Sequence, residues 1–319
     1  MHVLITGAAG FLGSALARRL SPGSRLGDRV VSQLTLMDLA LEGQTPDGVC
    51  HCAGDMGNAA WLCTALKALP PIDTLFHLAS IPGGSAEQNY LLARRVNLEA
   101  TQTLLEHGQQ QVASGQAAPV FVFASSIAVF GQMPAVVDDD APTRPQMTYG
   151  TQKRIGELWL EDFSRRGWVD GRAVRIPGVL ARPPARTGQL SAFLSDIIRE
   201  LAAGREFTCP TSPEATTWAS SLPCVVEQLL HAATFDVSAS DGHRTLTLPT
   251  LRFAMAELVQ AVGRVYATPA VDLVRWAPDA RIEALFGRFP PLRTPRAQAA
   301  GLRSDQDLDT LVQQALVLA

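Results

Sequence analysis

A tyrosine and a lysine four positions apart could together carry out acid–base chemistry. Tyr149 and Lys153 fall on one face of a predicted helix, because residues i and i+4 are neighbours on a helix surface. An ammonium near the phenol favours the phenolate, and would lower a pKa that is ordinarily about 10. The pair alone also fits an amphipathic helix with a half-buried tyrosine and a lysine whose stem covers apolar surface.

Two hydroxyls end a predicted strand that precedes this helix. Ser125 and Ser126 close an apolar run, and Ser126 lies 23 residues before Tyr149. If the strand end and the helix meet, the phenol could take a proton from a substrate hydroxyl while Ser126 hydrogen-bonds the same oxygen. The adjacent carbon would then give a hydride to a nicotinamide cofactor. The sequence therefore predicts that Ser126, Tyr149 and Lys153 form a hydride-transfer site.

Three glycines near the beginning of the chain predict a dinucleotide-binding loop. Gly7, Gly10 and Gly13 lie between the first predicted strand and the first predicted helix. In such a loop the first glycine permits a tight turn, the second lets the backbone approach a pyrophosphate, and the third lets helix and strand pack closely. The start of the helix, at Phe11 and Leu12, offers amide donors and the positive end of the helix dipole. We expect these five residues to contact the cofactor.

Carboxylates follow the second and third predicted strands. Asp38 ends the second strand, 25 residues after Gly13, where it could accept hydrogen bonds from the adenosine ribose diol and repel a 2′-phosphate. This position predicts NAD rather than NADP, although a carboxylate at a strand end can also cap the next turn. Asp55 and Met56 follow the third strand and could contact the adenine amino group and the adenine face.

The elements that must position these residues alternate between strands and helices. Short apolar runs predict strands over 2–6, 34–38, 49–53, 74–79, 120–125 and 173–176. Amphipathic stretches predict helices over 11–20, 58–69, 87–114 and 148–166, the third interrupted near Val96 and Asn97. This alternation is typical of a doubly wound parallel sheet. We predict an α/β fold with a dinucleotide-binding domain over 1–177.

The second half, 178–319, is predicted to be a smaller α/β substrate-binding domain. Its periodicity is irregular, and helices are expected over 222–235 and 253–265. The boundary is approximate, because such a domain can send a strand back to the first sheet. The length of 319 residues suits this arrangement of one large unit and one smaller one.

Composition argues against several other classes of protein. The chain has 27 basic and 30 acidic side chains, so nucleic acid is not an expected partner. There is no apolar run of membrane-spanning length, and the start lacks the features of a signal peptide, which predicts a cytoplasmic protein. Five cysteines scattered along the chain do not suggest a disulfide framework. Cys50, His51 and Cys52 fit a strand better than a zinc site, because no second ligand pair follows, and no metal is predicted.

Together these motifs resemble the extended short-chain dehydrogenase/reductase family. The resemblance covers nearly the whole chain and is carried by TGAAGFLG from Thr6, by Asp38, by GDM from Gly54, by HLAS from His77, by VNL from Val96, by SSIAVFG from Ser125 and by YGTQK from Tyr149. It implies that Ser126, and not Ser125, is the catalytic hydroxyl.

The resemblance also implies roles for residues that the spacing alone does not assign. Lys153 is expected to bond the nicotinamide ribose, and Asn97 to support the active-site framework beside the cofactor. Backbone at Leu78, Ala79 and Ser80, and from Pro177 to Val179, is expected to contact the cofactor. Relatives pair the helices that correspond to 87–114 and 148–166, which implies a homodimer.

Residues beside the predicted site favour some chemistries of this family over others. Dehydratase members carry Asp-Glu after the catalytic hydroxyl, where this chain has Ile127-Ala128. Epimerase members often carry an aromatic residue and Asn after the sixth strand, where this chain has Pro177-Gly178. Both differences disfavour a nucleotide-sugar substrate. A nucleotide-sugar 4-epimerase stays as an alternative, and so does a non-catalytic NAD(P)-sensing regulator, although such regulators commonly lack the Tyr/Lys pair.

One branch of the family, which oxidises the C2 hydroxyl of a four-carbon sugar acid with NAD, is similar to this chain in more detail. The similarity lies in RIPGVLARP from Arg175, ATTWASSLP from Ala215 and RAQAAGLRSD from Arg296. It implies a small sugar-acid substrate, and Arg182 could bind the carboxylate through its guanidinium. Arg182 could equally be a surface arginine that shields the Pro-rich loop. The loops that contain Gly83-Gly84 and residues 184–187 differ from the loops usual in this branch.

Other features are predicted to be structural. His77 is expected to pack inside its strand, and the acidic run from Asp138 to Asp140 to be solvated. Trp218 could wall the pocket or fill the space between the domains.

Overall fold

Short apolar runs in the first half of the chain form strands, because Val, Leu, Ile and Phe at successive positions suit a strand that is covered on both faces. The computed structural model describes residues 1–43, 45–183 and 190–316. The strands are β1 (His2–Thr6), β2 (Arg25–Leu26), β3 (Arg29–Val30), β4 (Gln33–Asp38), β5 (Val49–Ala53), β6 (Thr74–His77), β7 (Val120–Ser126), β8 (Asp170–Ile176), β9 (Gly178–Leu180), β10 (Phe207–Cys209), β11 (Thr216–Ser221), β12 (Thr245–Thr247), β13 (Leu251–Ala254) and β14 (Val274–Trp276). The helices are α1 (Phe11–Arg19), α2 (Ala59–Lys67), α3 (Gly83–Gln88), α4 (Tyr90–Arg94), α5 (Ala100–Ala113), α6 (Thr148–Arg165), α7 (Phe193–Ala202), α8 (Leu222–Ala232), α9 (Met255–Tyr266), α10 (Ala270–Leu273), α11 (Ala280–Phe286), α12 (Pro295–Ala299) and α13 (Leu308–Ala315).

The largest sheet is parallel and doubly wound. In the described part of the chain it has seven strands in the order β12-β8-β7-β6-β1-β4-β5. Every neighbouring pair in it runs parallel. The chain leaves β1 toward β4 in one direction and toward β6 in the other, and a crevice forms at the carboxyl ends of the strands where the order reverses. This arrangement confirms the predicted fold class.

Helices cover both faces of this sheet. Successive residues of a strand point to opposite faces, so Val3 and Ile5 join the core cluster that contains Leu16 of α1, whereas Leu4 joins the cluster that contains Leu104 of α5. α8, from the second half of the chain, packs beside α1. The strand β12 also comes from the second half and pairs with β8 at the sheet edge.

The remaining elements of the second half form a smaller α/β unit. β13, β11 and β9 make one short sheet, and β10 pairs with β14. Helices α7, α9 and α13 enclose a separate apolar core with these strands. β9 follows directly after β8, so this unit is joined to the carboxyl edge of the large sheet.

The bounds of several elements differ from the predicted ones by one to three residues, and two predicted helices differ more substantially. The predicted helix over 253–265 begins at Met255, because Leu251–Ala254 pairs antiparallel with β11 as β13. The predicted helix over 87–114 is divided into α3, α4, a π-helical turn (Arg95–Glu99) and α5. That turn contains Val96 and Asn97, which confirms the predicted interruption. A further break falls at Asn89, whose side chain accepts a hydrogen bond from the Leu92 amide as the cap of α4.

His77 and the acidic run from Asp138 to Asp140 were predicted to have structural and not catalytic roles. His77 is fully buried, with hydrogen bonds from its ring nitrogens to Thr6 at 2.7 Å and Thr101 at 2.8 Å, which confirms a packed histidine. Asp138 and Asp140 of the acidic run are exposed, as predicted, whereas Asp139 is half-buried. Asp139 accepts a hydrogen bond from the Arg296 amide, and Asp140 pairs with the Arg296 guanidinium at 2.9 Å. These carboxylates dock α12, which lies 156 residues further along the chain.

Trp218 is fully buried, packs with Val129, Phe130 and Val137, and does not line the cleft described below. Its indole Nε1 donates to the Pro290 carbonyl at 2.8 Å, and its ring meets the edge of Phe289. Within residues 1–43, 45–183 and 190–316, no helix is both long and apolar enough to cross a membrane. The same residues contain no group of three or more His, Cys, Asp and Glu that could hold a metal ion.

Candidate active site

The glycine loop after β1 is shaped by contacts that leave no room for side chains. Gly7 has a φ of +72°, and a Cβ there would lie 2.6 Å from the Ala79 amide nitrogen. A Cβ on Gly13 would overlap the Gly7 carbonyl oxygen. Glycine is therefore required at both positions if the loop is to pass between β6 and α1.

The beginning of α1 can hold an anion. Gly10 is its N-cap and has no side chain to accept hydrogen bonds from the first amides of the helix. There is no acidic residue in the first turn to compete for them. The Phe11 and Leu12 amides and the positive end of the helix dipole therefore suit a pyrophosphate.

Asp38 lies beside this loop at the end of β4. One carboxylate oxygen accepts a hydrogen bond from the Ala9 amide at 2.9 Å, and the other accepts one from the Leu39 amide at 2.7 Å. A carboxylate has about four lone-pair sites, so acceptor capacity is left for a ribose diol. The loop, the helix end and Asp38 together fit an adenine dinucleotide.

The two residues predicted to contact adenine are placed differently from each other. Asp55 is exposed, and its side chain accepts a hydrogen bond from the Gly57 amide at 2.8 Å. Met56 is 6% exposed and packs in the core with Leu62. Most of the Met56 side chain is thus used by the core, which leaves little of it for an adenine face.

A cleft of about 240 Å³ opens at the carboxyl edge of the sheet, where the glycine loop, the end of β7 and the start of α6 meet. Its lining residues are Gly7, Gly10, Phe11, Leu12, Gly13, Leu78, Ser80, Pro82, Ala124, Ser125, Ser126, Tyr149, Lys153, Ile176, Pro177 and Arg182. Most of the predicted site residues are thereby brought together.

Several predicted cofactor contacts lie outside this lining, and four lining residues were missed. The predicted residues outside the lining are Asp38, Asp55, Met56, Ala79, Asn97 and Val179. The missed ones are Pro82, Ala124, Ser125 and Ile176. Each missed residue lies at or just after the carboxyl end of a strand, which is the signal that could have found them, because these ends converge at one edge of a parallel sheet.

Ser126 ends β7 and directs its hydroxyl into the cleft. Its Oγ accepts a hydrogen bond from the Ala128 amide at 3.2 Å, as the cap of a 3₁₀ turn. This bond uses Oγ only as an acceptor, so it leaves the hydroxyl proton for donation to another group. Ser126 and Ser80 both hydrogen-bond with the Tyr149 phenol.

The Tyr149 pKa differs from the value expected from the sequence. Burial raises the pKa of this phenol, whereas hydrogen bonds from Ser80 and Ser126 and the charge of Arg182 oppose the rise. The predicted lowering by Lys153 is not observed, because the Lys153 ammonium lies over the ring, 5.6 Å from its centroid, and not beside the hydroxyl oxygen. The groups that stabilise a phenolate here are two hydroxyls and an arginine.

Lys153 is almost entirely enclosed. It is 2% exposed, and its Nζ lies 4.7 Å from the centroid of the Phe123 ring. Burial lowers the pKa of Lys153 to about 7, and the charge of Glu157 opposes this fall. Both protonation states of the amine are therefore populated near neutral pH.

Asn97 holds the segment that follows β6. Its side-chain oxygen accepts from the Ile81 amide at 2.7 Å, and its nitrogen donates to the Ile81 carbonyl at 2.9 Å and to Gln152 at 2.7 Å. The π-helical turn directs Asn97 inward to make these contacts. Asn97 thus joins the segment that carries Ser80 to the helix that carries Tyr149.

Arg182 lies in the cleft just after β9. Its guanidinium interacts electrostatically with Tyr149, and burial lowers its pKa. Its backbone is held as well, because its amide donates to Ser195 Oγ at 3.0 Å and its carbonyl accepts from Arg199. Gly83 begins α3 beside the lining residue Pro82, whereas residues 184–187 lie outside the described part of the chain.

Comparison with known proteins points to one family. Residues 3–218 match the model of the NAD-dependent epimerase/dehydratase family. The chain is 38% identical to a D-erythronate dehydrogenase of Cupriavidus necator, with 98% of this chain and 97% of the relative covered. It is 31% identical to a D-erythronate dehydrogenase of Haemophilus influenzae, with 98% of each covered.

Solved structures share the fold along the whole chain. A nucleoside-diphosphate-sugar epimerase from Agrobacterium tumefaciens superposes with a TM-score of 0.89 at 33% identity, over 98% of this chain and 92% of that one. A GalE-like L-threonine dehydrogenase from Cupriavidus necator in its holo form superposes with a TM-score of 0.82 at 21% identity, over 99% of each chain.

Proposed function

This chain belongs to the NAD-dependent epimerase/dehydratase family, and we propose that it oxidises the C2 hydroxyl of a small sugar acid such as D-erythronate to the 2-keto acid. The observation that carries the proposal is that Arg182 shares one cleft with Ser126 and Tyr149. The two D-erythronate dehydrogenases that match over nearly the whole chain support the same substrate class.

A 2-hydroxy acid fits the positions of these side chains. Its carboxylate is bonded to the carbon that carries the reacting hydroxyl, so both groups must be bound within a few ångströms of each other. Guanidinium groups bind carboxylates through two parallel hydrogen bonds. Arg182 beside the Tyr149 phenol could therefore hold the carboxylate while the C2 hydroxyl reaches the phenol oxygen.

The protein side chains carry the proton and orient the substrate. The Tyr149 phenolate takes the proton of the C2 hydroxyl, and Ser126 donates a hydrogen bond to the same oxygen. Ser80 and Arg182 stabilise the phenolate before the transfer. The glycine loop and Asp38 would hold NAD, which would supply the acceptor for the hydride lost from C2.

A second candidate function for the same site is that of a nucleotide-sugar epimerase. It is supported by the likeness to the nucleoside-diphosphate-sugar epimerase from Agrobacterium tumefaciens, which is 33% identical to this chain. The absence of the aromatic residue and Asn after β8, where Pro177-Gly178 stand, argues against it. A regulator that binds NAD without turnover would have no need of the hydroxyls at the Tyr149 phenol.

NADH formation on a panel of substrates tests the proposal. We expect turnover of D-erythronate, L-threonate or a related 2-hydroxy acid, and no conversion of UDP-sugars. NAD should be preferred over NADP by more than about tenfold, because a 2′-phosphate would meet the Asp38 carboxylate. Conversion of a UDP-sugar without oxidation of any acid would contradict the substrate class, whereas equal use of NADP would contradict the role of Asp38.

We propose that the chain forms a homodimer through α4 and α6. These helices contact each other, and Leu91 of α4 and Leu158 of α6 are 62% and 49% exposed. Exposed apolar side chains on adjacent helices are typical of a subunit interface. A Leu91→Glu/Leu158→Glu variant should be a monomer in small-angle scattering at micromolar concentration, whereas Val271→Glu, at an equally exposed position on α10, should stay dimeric. A monomeric wild type would contradict this proposal.

A further inference from the structure

A buried ionic cluster lies beneath the cleft, one helical turn beyond Lys153. Glu157 of α6 has no exposed surface. Its carboxylate accepts a hydrogen bond from Ser125 Oγ at 2.6 Å and two from the Arg175 guanidinium at 2.9 Å each. Arg154 adds a further donor at 2.9 Å from the partly exposed side. Four donors from three elements therefore converge on one carboxylate.

Burying the Glu157 carboxylate away from water has an energetic cost, so its presence in the core calls for an explanation. Taking an ion pair out of water often stabilises a fold less than apolar residues of the same volume would. Arg175 is itself 7% exposed and packs over the Phe130 ring at 5.2 Å. The cluster adjoins the active-site lysine on the same helix, which suggests a role in the site and not only in the core.

We propose that Glu157 is a positioning residue that favours the protonated form of Lys153 inside the enclosed site. The two side chains are at i and i+4 on α6 and so lie on one face of the helix. The faces of the Phe123 and Tyr149 rings also lie against Lys153 and attract an ammonium, but the rings carry no net charge. Glu157 is thus the acidic group whose charge favours the ammonium.

The other titratable and charged groups around Lys153 do not replace Glu157. His77 on β6 is uncharged at neutral pH, because burial and the charge of Lys153 lower its pKa to about 3. Tyr149 is neutral over most of the range, because burial raises its pKa. Arg154 on α6, Arg175 on β8 and Arg182 after β9 are cations, of the same sign as the Lys153 ammonium. Among these groups, the Glu157 carboxylate alone has the required sign.

The cluster also joins the elements that carry the reacting groups. Ser125 and Ser126 are adjacent on β7, so their side chains point to opposite sides of the strand. Ser125 therefore binds Glu157 while Ser126 faces the phenol. The buried Glu157 carboxylate thus holds the end of β7 against α6 next to the catalytic cleft.

The chain contains two lysines, Lys67 and Lys153, which makes the charge of Lys153 directly measurable. Lysine labelled with ¹³C at Cε gives two NMR signals that can be titrated in the absence of cofactor. Lys67 is exposed on α2, and a Lys67→Arg variant assigns the signals without disturbing the site. In Glu157→Gln we expect the pKa of Lys153 to fall by about one pH unit or more, because an opposite charge nearby is lost.

The kinetic consequence rests on the proposed function, whereas the NMR titration does not. At subsaturating NAD, kcat/KM reports the ionisation of the cofactor-free enzyme. If the ammonium is the active form, a fall of one pH unit from about 7 should reduce kcat/KM about tenfold at pH 8 but only about twofold at pH 6. Failure to oxidise any sugar acid would leave the titration as the deciding test.

Two further variants separate this role from a merely structural one. Glu161→Gln, on the same helix but two turns from Lys153, should leave the Lys153 titration unchanged. If Glu157→Gln does not fold because Arg175 loses its partner, the substitution is made in an Arg175→Met background, and the Lys153 pKa of the double variant is compared with that of Arg175→Met alone. An unchanged pKa of Lys153 in the folded variant, with only a lower melting temperature, would overturn the proposal.

Discussion

A Tyr149→Phe variant should lose turnover of the sugar acid by about 10²–10⁴-fold while it binds NAD as tightly as the wild type does. The phenol oxygen is the proton acceptor, and Ser80, Ser126 and Arg182 are arranged around it. The phenyl ring would still fill the space below the Lys153 ammonium, so the cleft should keep its shape. Steady-state kinetics on D-erythronate and NAD binding by calorimetry measure the two quantities.

The matched control is Tyr90→Phe, because Tyr90 is 54% exposed on α4 and does not line the cleft. Its turnover should equal that of the wild type. If Tyr149→Phe retains full turnover, Tyr149 is not the base and the proposed mechanism is wrong.

The pH dependence of the wild type follows from the same residues. Burial raises the pKa of Tyr149, so the phenolate fraction grows as pH rises through neutrality. The Lys153 ammonium is lost as pH rises through about 7, which opposes this gain. At subsaturating NAD, kcat/KM should therefore rise with pH up to about 7 and then level off. In Tyr149→Phe the residual activity should lose the rising limb.

An Arg182→Met variant should lose about 10- to 150-fold in kcat/KM for the sugar acid, because a hydrogen bond with a charged carboxylate is worth roughly 1.5–3 kcal/mol. The loss should fall mainly on KM if the guanidinium binds the ground-state carboxylate. The uncharged amide of the same acid should lose much less, because it loses only the effect of the Arg182 charge on the Tyr149 phenol. Kinetics on the acid and its amide, measured side by side, give the comparison.

Two outcomes would change the role given to Arg182. An equal loss on acid and amide would mean that Arg182 acts on the Tyr149 phenol, whose pKa its charge lowers, and not on the carboxylate. No loss on either would remove Arg182 from the site. Arg288→Met is the control, because Arg288 is exposed in the second half of the chain and should leave both substrates unaffected.

Much of the site could be predicted because its parts are local in sequence. The glycine loop needs only Gly7, Gly10 and Gly13 at a strand-to-helix junction, since φ above zero and close backbone approach are properties of single residues. Tyr149 and Lys153 share a helix face by spacing alone. The strands of the large sheet were predictable for the same reason, because a buried parallel strand is a continuous apolar run.

Contacts between distant residues were decided by the tertiary structure. Ser125 and Glu157 are 32 residues apart and Arg175 is 18 further on, and nothing in the local pattern pairs them. Asp140 likewise finds Arg296 across 156 residues. Periodicity tells which face of an element a side chain occupies, but the partner on that face depends on how the elements are stacked.

Local patterns are sufficient to predict the strands and helices of the first half, the dinucleotide loop and the residues that could exchange a proton with a substrate. The electrostatics of these residues depend instead on the packed chain. The pKa of Tyr149 is raised and that of Lys153 lowered because both are enclosed. Tyr149 and Lys153 are enclosed jointly by β7, α6, the segment after β6 and the residues after β9. Desolvation depends on all atoms around a group, so it is set only when the whole chain has packed.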